Sequence, residues 1–254
     1  MGLLEGKACI VSGASSEIGV ATVEELLREG AHVTAGSRRV DFLERLRDGW
    51  AARYGGERVY VGYLDVSDED VVRDFVGQAV RRHGRIGGLV NLAGYNIDPG
   101  LWFRPYTELE LKEIMDVFKV DLAGSFLMSK HVIPHMIGAG GVIINISSTP
   151  AVAGYRYGCA YSIAKSALHA LTRHIAWEYG GKGVRAYTLA LGNIETSTTR
   201  EAMKEMYEEL SAESPARRWG RPSEVASVIS VLLSEKMSFV NGQTVVVDGG
   251  TVML

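Results

Sequence analysis

Seven short apolar runs alternate along the chain with longer helix-patterned stretches, and this alternation constrains the fold more than any other feature. The runs are Ala8–Val11, His32–Ala35, Arg58–Leu64, Ile86–Leu92, Val142–Ile146, Val184–Leu191 and Thr244–Val247. A helix is expected from about Ile18 to Arg28, ended by Gly30, since a glycine suits the position just past a helix C-terminus. A second is expected from about Phe42 to Arg53. A third opens at Ser67-Asp68-Glu69-Asp70, whose acidic first turn favours the helix dipole. Strands alternating with helices of about ten residues or more build βαβ units and a mostly parallel sheet. Strands that are apolar almost throughout belong to a sheet covered on both faces. The expectation is an α/β fold, a doubly wound parallel sheet of seven strands with helices on both faces. No linker, internal repeat or low-complexity tract interrupts it, so residues 1–254 read as one domain.

Composition narrows the function. A chain with 46% hydrophobic and 22% charged residues has the make-up of an ordinary globular protein. A formal net charge of -3, with arginine pairs scattered at 38–39, 81–82 and 217–218, argues against nucleic acid as the main partner. No run approaches the ~20 apolar residues of a membrane span. The N-terminus runs almost at once into an apolar strand and reads as no signal peptide. Cys9 and Cys159 form no spaced framework, so free thiols in the cytoplasm are expected. Cys9 reads as a small buried hydrophobe, and Cys159 as packing or a modifiable thiol. His131 and His135 are four apart, but Pro134 between them suggests a helix end and no third ligand is evident, so no metal site is expected.

Chemistry concentrates in two places. Tyr161 and Lys165 are four residues apart, a spacing that places both on one helix face, and Ser148 lies upstream. A phenol with an ordinary pKa of ~10 transfers protons poorly at neutral pH, and a neighbouring cation favours its ionised form. Near the N-terminus, Ser12-Gly13-Ala14-Ser15-Ser16-Glu17-Ile18-Gly19 joins the first apolar run to a helix. Such a turn offers backbone N–H groups and a positive dipole end to a pyrophosphate.

With these motifs in this order, the chain resembles the short-chain dehydrogenase/reductase family, of the roughly 250-residue type, nearly end to end. Ser12 to Gly19 fill the frame of the family's glycine turn. Asp65 matches an acid that bonds adenine, and Asn91-Leu92-Ala93-Gly94 matches the Asn-Asn-Ala-Gly motif. Ile146-Ser147-Ser148 looks like the strand end with the catalytic serine, Tyr161 to Lys165 is the Tyr-x-x-x-Lys motif, and Asn241-Gly242-Gln243 with Val247-Asp248-Gly249-Gly250 resembles the closing segment.

The resemblance implies a Rossmann-like fold and a nicotinamide-dependent oxidoreductase acting on an alcohol or carbonyl. Tyr161 would be the acid in reduction and the base in oxidation. Lys165 would favour the phenolate and bond the nicotinamide ribose, and Ser148 would hold the substrate oxygen. Cofactor contacts are expected from Ser12, Gly13, Ser15, Ser16, Ile18 and Gly19, from Ser37 and Arg38, and from Asp65 and Val66. Asn91, Ala93, Gly94, Tyr161, Lys165, Gly192, Ile194 and Thr196 complete the set. Ser37 stands where NAD enzymes usually carry an acid, and Arg38 follows it, so NADP(H) is favoured over NAD(H). A homo-oligomer, commonly a tetramer, is implied through helices near Leu111–Ile133 and Ala160–Tyr179, with Val252-Met253-Leu254 a further contact.

Three positions depart from the family pattern. Glu17 replaces the middle glycine of the turn and is expected to point outward, interacting with the helix dipole. Asp121 stands where an asparagine is usual; it either joins the Lys165 relay or satisfies local backbone groups. Leu191 replaces a proline before Gly192, so the following loop loses a fixed φ. The polar segment 193–219 reads as a substrate lid, because ligands of open α/β sheets bind at the strands' C-terminal ends. Tyr95, Trp102, Phe103 and Tyr106 either line a pocket or pack a loop. The favoured reading is an NADP(H)-preferring reductase of an aldehyde, ketone or 3-oxoacyl substrate, with alcohol oxidation as the reverse. The alternatives are a sugar or polyol dehydrogenase and a cofactor-binding regulatory protein.

Overall fold

Apolar side chains on both faces of each strand require a helical layer above and below the sheet. The computed structural model describes residues 2–96 and 99–253 and has that arrangement. The strands are β1 (Ala8–Ser12), β2 (His32–Ser37), β3 (Val59–Tyr63), β4 (Gly88–Asn91), β5 (Gly141–Ser148), β6 (Val184–Leu191) and β7 (Thr244–Val247). They form one sheet in the order β3-β2-β1-β4-β5-β6-β7, with each pairing parallel.

Helices α1 (Glu17–Arg28) and α2 (Val40–Tyr54) cover one face. Helices α3 (Glu69–His83), α4 (residues 111–132) and α5 (Cys159–Tyr179) cover the other. A last helix, α6 (Pro222–Leu233), returns to the α1 face. In β1, Cys9 and Val11 pack with Val23, Leu27 and Ile229 of α1 and α6, while Ile10 packs with Phe75 of α3 and Met128 of α4. Slipping a strand by one residue would exchange these two sets, so both layers fix the register together. Burying a side chain such as Ile10 contributes ~1.5–3 kcal/mol relative to leaving it exposed.

Strand boundaries differ modestly from the apolar runs. β4 omits Ile86 and Leu92, although Ile86 is buried beneath the sheet. β5 extends to Ser148, because Ser147 and Ser148 pair with Ala190 and Leu191. Polarity hides such strand ends from an apolar-run reading. Helix α4 is interrupted by a π-helical turn at Lys119–Ala123, a local geometry that re-aims side chains and occurs often at functional sites.

The strand order reverses between β1 and β4, where Ser12 and Asn91 lie side by side at the C-terminal ends. In an open α/β sheet, that reversal opens a crevice for ligands. No helix among the described residues is long and apolar enough to cross a membrane.

Candidate active site

The turn after β1 is shaped by close backbone approach. Gly13 has φ +67°, and a Cβ there would lie 2.6 Å from the Ala93 nitrogen, so a side chain is excluded on two counts. Ser12 ties the two strand ends together: its buried Oγ accepts N–H bonds from Leu92 at 3.2 Å and Ala93 at 3.3 Å. Ser16 caps α1, its Oγ accepting from the Gly19 N–H at 3.0 Å. The first backbone bond of the helix runs from Val20 N to Ser16 O. The N–H groups of Glu17 and Ile18 therefore precede the intrahelical ladder, at the positive end of the dipole. A glycine cradle beside two such donors fits a pyrophosphate, and the turn fits a dinucleotide cofactor on that ground.

At the end of β2, Ser37 Oγ lies 2.6 Å from Ser15 Oγ and accepts the Arg39 N–H at 3.0 Å. The Arg39 guanidinium donates to Ser15 Oγ at 3.1 Å and to the Ser15 carbonyl at 2.6 Å. Arg39, absent from the expected contact set, is thus the guanidinium bonded beside Ser37. Both arginines are exposed, and the charge of the neighbouring Arg38 acts on Asp65. Burial would raise the Asp65 carboxyl, but the Ser67 hydroxyl and N–H bonds, then Arg38, outweigh it and hold it below the ordinary range. The tandem Arg38-Arg39 was visible in sequence; which arginine bonds Ser15 depends on the start of α2, which sequence leaves undefined.

The second cluster joins β5, α4 and α5. Lys165 and Asp121 are both buried, with Nζ and Oδ2 3.3 Å apart. The π-helical turn carries Asp121 inward, where Oδ1 accepts the Tyr95 N–H at 2.5 Å. Asp121 therefore faces Lys165, and the backbone donor it satisfies belongs to Tyr95 after β4, not to its own helix. Its Oδ2 has no aligned hydrogen-bond donor, so the contact with Lys165 is mainly electrostatic. Lys165 Nζ also donates to the Ile146 carbonyl at 3.2 Å and lies 5.5 Å from the centre of the Tyr161 ring. Burial opposes its charge, but the Asp121 carboxylate and then Tyr161 prevail and hold the ammonium above its ordinary range. Gly94 abuts this pair; a Cβ there would be 3.5 Å from Asp121 Oδ1 and 3.7 Å from Lys165 Nζ.

Ser148 and Tyr161 both face a cavity of about 460 Å³. The Ser148 hydroxyl donates to the Leu191 carbonyl at 3.1 Å, and rotation about its C–O bond can redirect that proton. Tyr95, Trp102 and Phe103 line the same cavity, whereas Tyr106 lies on the surface at 73% exposure. The cavity wall also includes Gly192, Ile194, Met203, Leu210 and Trp219, so segment 193–219 contributes one side of it. That segment folds as short helices at Ser197–Ala202 and Tyr207–Glu213. Thr196 caps the first of them through the Thr199 N–H.

Two of the departures have structural explanations. The loop after Leu191 is held without proline by backbone bonds: Gly192 N to Val247 O, Glu195 N to Gly220 O and Gly220 N to Asn193 O. Glu17 does more than face the dipole of its own helix. Its Oε1 accepts the Ser197 N–H at 2.7 Å and also the Ser197 hydroxyl, linking the glycine turn to segment 193–219. A contact spanning 180 positions leaves no local signature in sequence.

Other expected contacts present backbone or hydrophobic surface. The Asn91 carboxamide points into the core, donating to Asn145 Oδ1 at 2.8 Å, so only its backbone borders the crevice. Val66 is buried against Gly124. His131 pairs with Glu69, and Cys9 is buried, its thiol pushed up to about 12 mainly by desolvation.

Comparison with known proteins agrees with the geometry. A family profile described as enoyl-(acyl carrier protein) reductase matches residues 13–252. The chain is 35% identical over 251 residues to the 3-oxoacyl-[acyl-carrier-protein] reductase of Thermotoga maritima, covering 98% of this chain and 99% of that one. It is also 35% identical over 246 residues to the cis-4-hydroxycyclohexanecarboxylate dehydrogenase of Sinomonas cyclohexanicum, covering 96% of each. A crystal structure of a glucose/ribitol dehydrogenase of the short-chain type from Brucella melitensis superimposes with a TM-score of 0.90 at 30% identity, each chain covered fully. With its parallel sheet, glycine turn and tyrosine–lysine cluster, the chain belongs to the short-chain dehydrogenase/reductase family, enzymes that act on CH–OH and C=O groups with NAD(P).

Proposed function

We propose that this enzyme is an NADP(H)-preferring reductase of an aldehyde or ketone, running in reverse as an alcohol dehydrogenase. The observation that carries it is the meeting of Ser148 and Tyr161 at one cavity, with the buried Lys165–Asp121 pair behind the tyrosine. The cofactor, held by the Ser12–Gly19 turn, the Ser37–Arg39 corner and Asp65, supplies the hydride. Tyr161 gives its phenolic proton to the oxygen of the reduced carbonyl and takes it back in oxidation. The Lys165 cation stabilises the phenolate left behind. Ser148 turns its hydroxyl from Leu191 toward the same oxygen and stabilises developing negative charge. Asp121 fixes the position and charge of Lys165.

NADP preference is inferred from the corner at Ser15, Ser37 and Arg39. A guanidinium with two hydroxyls suits a 2′-phosphate, while no acid stands at position 37 to receive a ribose hydroxyl. The segment 193–219 is read as a lid over one continuous catalytic domain. Exposed Leu111, Met115 and Phe126 on α4, with Ile163 and Trp177 on α5, support a homo-oligomer built through these helices. Leu254 lies outside the described residues. The free thiols Cys9 and Cys159 fit a cytoplasmic setting.

Following NADPH oxidation with a carbonyl panel tests the reading. Tyr161→Phe should lower kcat by at least about a hundredfold, the lower range for a lost general acid, without abolishing cofactor binding. Retained turnover would remove Tyr161 from the reaction. The ring alcohol named for the Sinomonas relative supports including cyclic ketones in the panel, since a cavity of about 460 Å³ holds a ring readily.

A further inference from the structure

We propose that the substrate cavity selects by charge, taking a ring-bearing ketone or alcohol that carries a protonated amine and discriminating against carboxylates, with Glu213 as the determinant. The inference rests on the oxidoreductase reading and names its substrate class. Glu213 is the one residue with a formal charge among the described residues lining the cavity; no lysine, arginine or histidine is there to balance it. It makes no salt bridge among the described residues, although other acids near this segment do: Glu195 pairs with Arg200, and Glu224 with Arg218. A carboxylate facing a binding cavity without a protein cation is a place for a ligand cation.

The remaining wall favours the same ligand. Trp102 stands edge-on to Tyr161 at 5.6 Å, so aromatic surface begins beside the reacting phenol. Tyr155 follows at 6.3 Å from Trp102. The Trp102 ring is seated against Gly158, which has φ +68° and where a Cβ would lie 2.4 Å from the ring. Tyr155 joins this wall to Glu213: burial first, then the Glu213 carboxylate, pushes its phenol above the ordinary range, against the opposing charge of Arg156 outside the lining. A ring held by Trp102 and Tyr155 can present its carbonyl to Tyr161 and Ser148 while an amine meets aromatic faces and the carboxylate. Aromatic faces and a carboxylate both attract an ammonium, and both disfavour a second carboxylate.

The test uses matched cyclohexanones: 4-(dimethylamino)cyclohexanone, 4-methylcyclohexanone and 4-oxocyclohexanecarboxylate, with NADPH at constant ionic strength. Wild-type kcat/KM should fall in that order, with about tenfold or more between amine and carboxylate, the scale of one ion contact near a protein surface. Glu213→Gln should compress the range to about threefold. A carboxylate accepted as well as the amine, or an order untouched by Glu213→Gln, overturns the proposal. If none of the three is reduced, calorimetric binding of trans-4-(dimethylamino)cyclohexanol and 4-hydroxycyclohexanecarboxylate with NADP⁺ decides the selectivity independently of turnover. Preferential binding of the amine that Glu213→Gln abolishes supports it; equal or absent binding of the amine overturns it. Failure of the oxidoreductase reading appears separately, as no turnover with any carbonyl tested.

Discussion

Replacing Asp121 by asparagine changes the charge behind Tyr161 with almost no change in volume. Asp121 Oδ2 and Lys165 Nζ are 3.3 Å apart in a buried site. At an effective dielectric constant of 20, their attraction is about 5 kcal/mol, of which desolvation takes back a large part. Asparagine keeps an acceptor for the Tyr95 N–H but turns an NH2 donor toward the ammonium. The variant should therefore lose about 2–3 kcal/mol and unfold ~5–10 °C lower for a chain of this size. Its kinetic effect has the opposite character. Lys165 Nζ is 5.5 Å from the Tyr161 ring centre and 3.3 Å from the carboxylate, so the two anionic groups share this cation. Taking the widest separation those two contacts allow, about 9 Å from the ring centre, the carboxylate opposes the phenolate by about 2 kcal/mol at the same dielectric constant, or roughly one pH unit after partial screening. With Asp121→Asn, the cation acts unopposed and the phenolate forms more readily.

The assay is the pH–rate profile of alcohol oxidation, measured on variant shown to be folded. The limb governed by proton removal should move about one unit toward lower pH, the size of the lost carboxylate–phenolate repulsion. The same profile with wild-type midpoint would refute the reasoning, because the Asp121 charge would then not be felt at the reacting oxygen. Movement toward higher pH would also refute it and would show that Asp121 serves chiefly to hold Lys165 in place.

Arg39→Ala should lower kcat/KM for NADPH by about tenfold to a hundredfold, the range of one or two charge-assisted phosphate contacts, and leave NADH nearly unaffected. Steady-state comparison of the two cofactors checks it, and a larger loss with Arg38→Ala would reverse the assignment. Glu17→Gln retains an acceptor for Ser197 and loses only an exposed, screened charge, so cofactor should be released at close to the wild-type rate; Glu17→Ala loses the link and should release cofactor faster. Fluorescence titration and stopped-flow displacement separate the two effects, and identical behaviour of the variants would exclude a linking role. Glu224 is held near 2, well below its ordinary 4.5, by Arg218 and the Arg221 N–H. A depressed carboxyl stabilises the fold above about pH 4.5 and loses that contribution as pH falls toward 2. The Tm difference between wild type and Glu224→Gln should close over that window, and a pH-independent difference would contradict it.

The sheet was legible because its information is local. Continuous apolar runs place β6 and β7 at the boundaries read from sequence, and Gly30 lies just past the end of the first helical segment. Apolar runs were less informative where polar residues continue a strand, as Ser147 and Ser148 do, and there only the family motif marked the strand end. A helix that changes its hydrogen-bond pattern, as α4 does around Asp121, also lacks a simple periodic signal. The bonding of Arg39 to Ser15 was hidden for a different reason. Two adjacent arginines have the same chemistry, and only the backbone path into α2 distinguishes the one bonded to Ser15.

The same contrast explains why three departures from the family pattern have unequal consequences. Leu191 removes a local restraint, and three backbone bonds around Asn193 and Gly220 replace it, so the loop keeps its course. Asp121 adds charge where no solvent screens it; its effect must therefore pass to Lys165 and Tyr161. Glu17 adds charge at an exposed position, where screening is strong, and its influence comes through bonds to Ser197. Burial decides whether a new carboxylate acts through its field or through its contacts. By that criterion Asp121 should alter the pH dependence of the chemical step, while Glu17 should alter how long cofactor stays bound.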